Sequence, residues 1–267
     1  MSKQILFSVI LAVLLVVFLM YWNRIQTNRQ EILSTSIRPT PTPRTTIPYG
    51  GIINLAYRSQ ILRIYWTPIA SDAAVYLIPN YEEKKFAQTI ASDLSCHIAI
   101  NGGFYKGDGK PLGLLVTNGA IKSNAVRSSV ANGFFWQNRS GQRFIGKTLP
   151  ALSDVDFAIQ SGPFMNVSDR RLTLQNDERA RRSLLGVDDQ DNLFAVSVTA
   201  GDNAYGGAYL ADLPVIFSQN EVQDVLPVTT LLNLDGGGAS FFSVKDGDDE
   251  FTLSSLSPVG SVICVRF

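Results

Sequence analysis

Histidine is almost missing from this chain. One residue of 267, His97, carries an imidazole. A site built on several histidine ligands is excluded, and Ser-His or Cys-His nucleophilic catalysis would have to pass through that single residue. Cysteine is nearly as scarce. Cys96 and Cys264 are the two, with no C-x-x-C pair, which removes the thiol-redox and zinc-ribbon readings. A charge excess is lacking too: 23 Lys and Arg stand against 23 Asp and Glu. Nucleic-acid binders carry basic patches, so no nucleic-acid partner is expected. His97 reads as a structural residue at a strand start. The two cysteines fit either one disulfide or two unpaired thiols.

What is present begins with a long apolar run. Residues 5–22 hold one polar member, Ser8, and end in Tyr21 and Trp22. As a helix this run would span about 27 Å, close to a bilayer core of about 30 Å. No small-residue cleavage site follows it closely, and the two aromatics suit an interfacial belt. The expectation is an uncleaved transmembrane anchor over 1–22; the rival is a signal peptide cut near Ser34 to Ser36. Residues 23–48 contain the run Arg38-Pro-Thr-Pro-Thr-Pro-Arg44, whose alternating prolines favour an extended spacer. Lysine and arginine flank the anchor almost evenly, so orientation rests on this stalk-like linker and on the resemblance below. The expected arrangement is a single-pass cell-membrane protein with its globular part, 49–267, outside the cytoplasm.

From Tyr49 onward, short apolar runs are broken by Gly, Asn and Asp. Strands are expected at 52–57, 61–66, 97–101, 112–117, 133–137, 157–160, 193–198, 231–234 and 262–267. Asn118-Gly119 between Leu114-Leu-Val and Ala120-Ile predicts a tight hairpin. Residues 188–192, Asp-Asp-Gln-Asp-Asn, predict a second. Helices are expected near 82–94 and 207–217. Many strands with few helices argue an α+β fold, one domain of mixed or antiparallel sheet. The acidic turns at 188–192 and 246–250 would suit calcium or plain solvation; neither has EF-hand spacing.

Four segments could carry chemistry. Leu231-Leu-Asn233-Leu234 reads as a buried strand running into Asp235-Gly236-Gly237-Gly238 and then Ala239-Ser240. That puts a carboxylate at a strand end beside bare backbone, where a ligand can approach and N–H groups can face an anion. Ile98-Ala-Ile100 runs likewise into Asn101-Gly102-Gly103-Phe104-Tyr105. The third segment contains Ser161-Gly162-Pro163, the fourth Arg181-Arg182-Ser183-Leu184-Leu185-Gly186. A strand-start arginine can present its fork to phosphate. Each segment alone also fits a turn, a core aromatic or a solvated pair.

In this order the segments, with Pro111-Leu-Gly-Leu-Leu-Val116 among them, resemble the phosphodiester glycosidase family. The resemblance covers 52–267. Ala239 stands where the family often has serine, and the disulfide-rich extensions of animal members are absent. The resemblance implies cleavage of a sugar's anomeric C–O bond with a phosphate monoester leaving, in an extracytoplasmic glycan; no cofactor is expected and no metal ligand is assigned. Asp235 would be general base or nucleophile and Arg182 the phosphate holder. The N–H groups of Gly236 to Gly238, or those of Gly102 and Gly103, would meet developing charge. Asn101, Ser161, Asn233 and Ser240 would orient sugar or phosphate, and Asp202 would be a second acid on a lid. Two rival readings keep the fold: a hydrolase of ordinary wall or exopolysaccharide glycosides, and an anchored carbohydrate-binding protein without chemistry.

Overall fold

The computed structural model describes residues 50–149, 151–169 and 171–267. The expected anchor, 1–22, and linker, 23–48, lie outside them. Among the described residues no helix is long and apolar enough to cross a membrane.

Three antiparallel sheets meet around one apolar core. The six-stranded sheet runs Gly51–Tyr57, Gln60–Ile69, Leu193–Ala200, Arg182–Val187, Thr230–Asn233, Phe164–Asn166 in space. A five-stranded sheet runs Asp249–Leu253, Phe242–Asp246, Ile98–Asn101, Ser261–Arg266, Ala74–Pro79. A second runs Ala120–Ser123, Leu115–Thr117, Val155–Ser161, Gly133–Asn138, Arg143–Gly146. All three contribute to the central cluster, through Tyr65, Leu185 and Leu232, through Ile100, Phe242 and Ile263, and through Leu115, Phe135 and Ile159. Such a core follows from the runs themselves. Leu193–Ala200 is buried along its whole length because both faces are covered: one by the central cluster, the other by Leu213, Ile216, Phe217 and Val222 of two short helices. Gly51–Tyr57 lies at the sheet edge and alternates, with Ile53 and Leu55 inward and Asn54 and Ala56 outward.

The nine expected strands form, with ends moved by a few residues. The Asn118-Gly119 hairpin forms with φ of +50° and +70°, the left-handed pair a tight hairpin needs. Fold class is shifted toward β: the sheets are antiparallel throughout and the helices are shorter than expected. The helix expected at 82–94 is Ala87–Asp93. Asn80 takes over its first turn, accepting from Lys85 N–H at 3.0 Å and donating to the Lys85 and Val259 carbonyls. The helix expected at 207–217 opens as a strand pair, Ala208–Tyr209 against Arg179–Ala180, then passes through a 3-10 turn at Leu210–Asp212 into an α-helix at Leu213–Phe217. A Cβ at Gly207 would lie 2.2 Å from the Ala180 carbonyl, so strand contact wins there over helix formation.

Cys96 and Cys264 form a disulfide across 168 residues. It ties the segment before Ile98–Asn101 to the neighbouring strand Ser261–Arg266. Beside it His97 accepts from Phe267 N–H at 3.3 Å and packs on that ring. Backbone bonds hold His97 to Val265 and Lys245. It sits at the far end of its strand from Asn101.

Candidate active site

The four segments converge where strand ends from all three sheets meet. Thr230–Asn233 delivers Asp235 from the six-stranded sheet, and Ile98–Asn101 delivers the Asn-Gly-Gly segment. The Asp235 N–H donates to the Gly102 carbonyl at 3.0 Å, and Asn101 Nδ2 donates to the Asp235 carbonyl at 2.8 Å. From the third sheet, Ser161 Oγ donates to the Asn233 carbonyl at 2.7 Å. Asn233 Nδ2 returns a bond to the Gly162 carbonyl at 2.8 Å, across the cis Gly162-Pro163 peptide. The strand start at Arg181 closes the fourth side: its carbonyl accepts from Gly237 N–H at 3.0 Å, and the Ser183 carbonyl from Leu234 N–H at 2.8 Å.

Burial then separates the residues by what they can do. Asn101, Ser161, Asn233 and Ser240 are almost fully buried. Asn101 has Oδ1 on Phe241 N–H at 2.9 Å and Nδ2 on the Asp235 and Gly102 carbonyls. Its side chain therefore fixes the loop. Gly102 and Gly103 are buried as well: a Cβ on Gly102 would stand 2.1 Å from Ser261 Oγ, so its bareness admits a neighbouring strand. Gly237 adopts φ +60° with open space around it, and Gly238 is exposed. Gly236 N–H donates to Asp235 Oδ1 at 2.9 Å and Gly237 N–H to Arg181. Gly238 N–H has no protein partner among the described residues. The open part of the site is thus Asp235 and its glycine loop.

Asp235 is half-buried and partly reached by solvent. Burial pushes its carboxyl up to about 7, while the Gly236 N–H pulls it down by less. A carboxyl poised there suits proton transfer or nucleophilic attack near neutral pH.

Arg182 packs against the loop, its Nη1 3.5 Å from where a Cβ on Gly236 would stand. Nε donates to the Ala208 carbonyl at 3.0 Å, and Nη2 reaches the Glu178 carbonyl and Asp177 Oδ1. Burial lowers its pKa, and Asp177 and Glu178 act against that. Asp177, which no sequence pattern marks, also accepts from Leu210 and Ala211 N–H at 3.1 and 2.8 Å. Asp202 is exposed in the loop before Gly207. A further organiser is Gln160, a polar residue inside an apolar strand. Its Oε1 accepts from Leu114 and Val126 N–H, and its Nε2 donates to the Val126 and Ala131 carbonyls at 2.7 Å each. That signal, a buried amide among apolar neighbours next to Ser161, is present in the sequence.

A model of the phosphodiester glycosidase family matches residues 95–266. The fold is similar to that of the zebrafish N-acetylglucosamine-1-phosphodiester alpha-N-acetylglucosaminidase catalytic domain, a structure auto-inhibited by its pro-peptide. The identity is 16%, the TM-score 0.59, and 85% of each chain is covered. A hypothetical protein from Synechocystis is similar at 15% identity and TM-score 0.59, over 81% of this chain and 61% of that one. A putative exported protein from Burkholderia pseudomallei is similar at 12% identity and TM-score 0.51, over 84% and 76%. These likenesses concern the fold. No curated protein matches the chain. The matched segment spans Asn101, Arg182 and Asp235 and most of the bonds between them, and by that match the chain belongs to the phosphodiester glycosidase family.

Proposed function

We propose that this chain hydrolyses the sugar–phosphate linkage of a glycosyl-1-phosphodiester in an extracytoplasmic glycan. The observation that carries this reading is the single half-buried carboxyl of Asp235, held on three sides by the other family segments and pushed to about 7. Ordinary glycosidases need a second carboxyl to protonate a poor leaving group. Here the other acid bound into the site, Asp177, has its oxygens on Arg182 and two backbone N–H groups. A phosphate leaves without strong acid assistance, so one carboxyl suffices.

In this reading Asp235 attacks the anomeric carbon or removes a proton from the attacking water. Gly238 N–H and Arg182 Nη1 face the charge that develops on the leaving group. Asn101, Ser161 and Asn233 position: they hold the Asp235 strand end to the other two sheets, so the carboxyl is aimed before substrate arrives. The disulfide supports a location outside the reducing cytoplasm, as the apolar run at 5–22 does.

The test is a screen of the full-length protein against glycosyl-1-phosphodiesters and aryl glycosides. Turnover of the phosphodiesters alone is the expected result. Preferential turnover of aryl glycosides would move the substrate class, and binding without turnover would leave a carbohydrate-binding protein.

A further inference from the structure

Scattered exposed apolar side chains are ordinary on a protein surface. Leu256 is not of that kind. It is 52% exposed, yet the chain on both sides of it is pinned residue by residue. The Arg181 guanidinium donates to the Leu253 carbonyl at 3.2 Å and the Ser254 carbonyl at 2.8 Å. Ser255 is buried, and its Oγ accepts from Ala87 N–H at 3.2 Å and donates to Gln88 Oε1 at 3.0 Å. The Leu256 and Ser257 N–H groups both donate to the Gly238 carbonyl, at 2.7 and 3.1 Å. Tyr105 Oη donates to the Pro258 carbonyl at 3.0 Å. A loop that only joined Asp249–Leu253 to Ser261–Arg266 would not need Arg181, a buried cation that is costly to keep from water.

The pinned loop borders the Asp235 loop directly. A Cβ on Gly238 would stand 3.4 Å from Ser257 Oγ and 4.0 Å from Leu256 Cβ. Arg181 joins the two loops: its side chain holds 253–254, and its own carbonyl accepts from Gly237 N–H at 3.0 Å. Gly237 has open space around it, and Gly238 and Leu256 are exposed, so a bound group has room at this place. The Leu256 side chain is therefore set, before any ligand arrives, beside the Gly238 N–H that meets the leaving phosphate in the proposed reaction.

We propose that Leu256 and Ser257 form the wall that receives the alcohol half of the phosphodiester, the part that departs with the phosphate. They select an alcohol with a C–H face on the carbons next to its ester oxygen over a small one. Which half of the substrate lies here rests on the hydrolase reading; the wall itself rests on the pinned loop. An apolar face laid on Leu256 removes exposed surface from water, and the loop beneath is already ordered. The Ser257 hydroxyl, half-buried and unclaimed among the described residues, can donate to a phosphate or alcohol oxygen.

The experiment is calorimetric titration of the full-length protein with two phosphate monoesters that stand for the departing half, cyclohexylmethyl phosphate and methyl phosphate, at one ionic strength. Wild type should bind the cyclohexylmethyl ester about three- to tenfold more tightly, the gain from covering the exposed part of one leucine side chain. In Leu256→Ala that ratio should fall to about one. Leu256→Gln, which keeps the length, gives the same reading should the alanine variant not fold. Ser257→Ala should weaken both esters about threefold. Equal affinity for the two esters in wild type overturns the proposal, as does failure to bind either, or a wild-type ratio in both Leu256 variants. The titration needs no turnover, so the two readings part cleanly. A protein that hydrolyses phosphodiesters in the screen above yet binds the esters without regard to Leu256 loses the wall alone. One with the Leu256-dependent ratio but no turnover loses the hydrolase reading alone and keeps a site for apolar phosphate esters.

Discussion

The two ends of the six-stranded sheet make an instructive contrast. At the Val187 end a cavity of about 640 Å³ opens, lined by Pro68, Ile69, Arg143, Phe144, Asn192 and Phe194 among others. At the Arg182 end there is little open space but a dense set of buried polar groups around one half-buried carboxyl. At the roomy end Arg143 donates to the Ala70 and Ser71 carbonyls while its Nη1 is buried without a partner, and the adjacent Asp188 is held by Asn192. Burial raises the Asp188 carboxyl, but the Asn192 side chain and backbone N–H groups outweigh it and bring the pKa below the usual value. Asp235 has one such bond and rises instead. On the proposed reading the working carboxyl is the under-solvated one, Asp235, and not one beside the roomier hollow.

Breaking the contrast starts at Asp235. Asp235→Asn is expected to lower turnover of a glycosyl-1-phosphodiester on the order of a thousandfold or more, measured by steady-state kinetics. A near-normal rate would make the two ends equivalent. Arg182→Lys should lower kcat/KM by about ten- to a hundredfold, because an ammonium cannot span Ala208, Glu178 and Asp177 while facing Gly236. An unchanged kcat/KM would remove Arg182 from the site.

Neither end contains the disulfide, so it separates stability from chemistry. Replacing Cys96 and Cys264 by serine should lower unfolding free energy by about 2–5 kcal/mol in denaturant titrations, with kcat kept at temperatures where the fold persists. Acidity gives a finer probe. The folded-state pKa of Asp235 is raised from 3.8 to about 7, so the rate should rise as pH passes through about 7 if the carboxylate is the working form. The same shift favours the folded state fully below about pH 4 and ceases to do so as pH rises through 7. Asp235→Asn should therefore be the more stable protein above pH 7, by calorimetry, with the difference gone near pH 4. The smallest effect belongs to the roomy end: Phe144→Ala, in the cavity wall, should leave kcat/KM within about twofold.

Much of the site was legible in residue order. Strand-to-glycine exits at Asn101 and Asp235 show because apolar runs and glycines act over a few residues. Arg182 was visible as a strand start. The direction of Asn101 was not, since its partner carbonyl lies 134 residues away. Nor was the role of Asp177, which depends on a strand pair, Arg179–Ala180 with Ala208–Tyr209, where a helix was expected.

The sequence by itself determined the local elements: the hairpin at Asn118-Gly119, the buried strands, the glycine loop after Asp235. These depend on dihedral preferences and short-range burial, which each residue carries with it. Tertiary structure alone decided that Cys96 meets Cys264, that Gly102 makes room for Ser261, and that Arg182 has a carboxylate partner in Asp177. Those outcomes depend on which distant strands share a rung, and register between sheets is set by the common core.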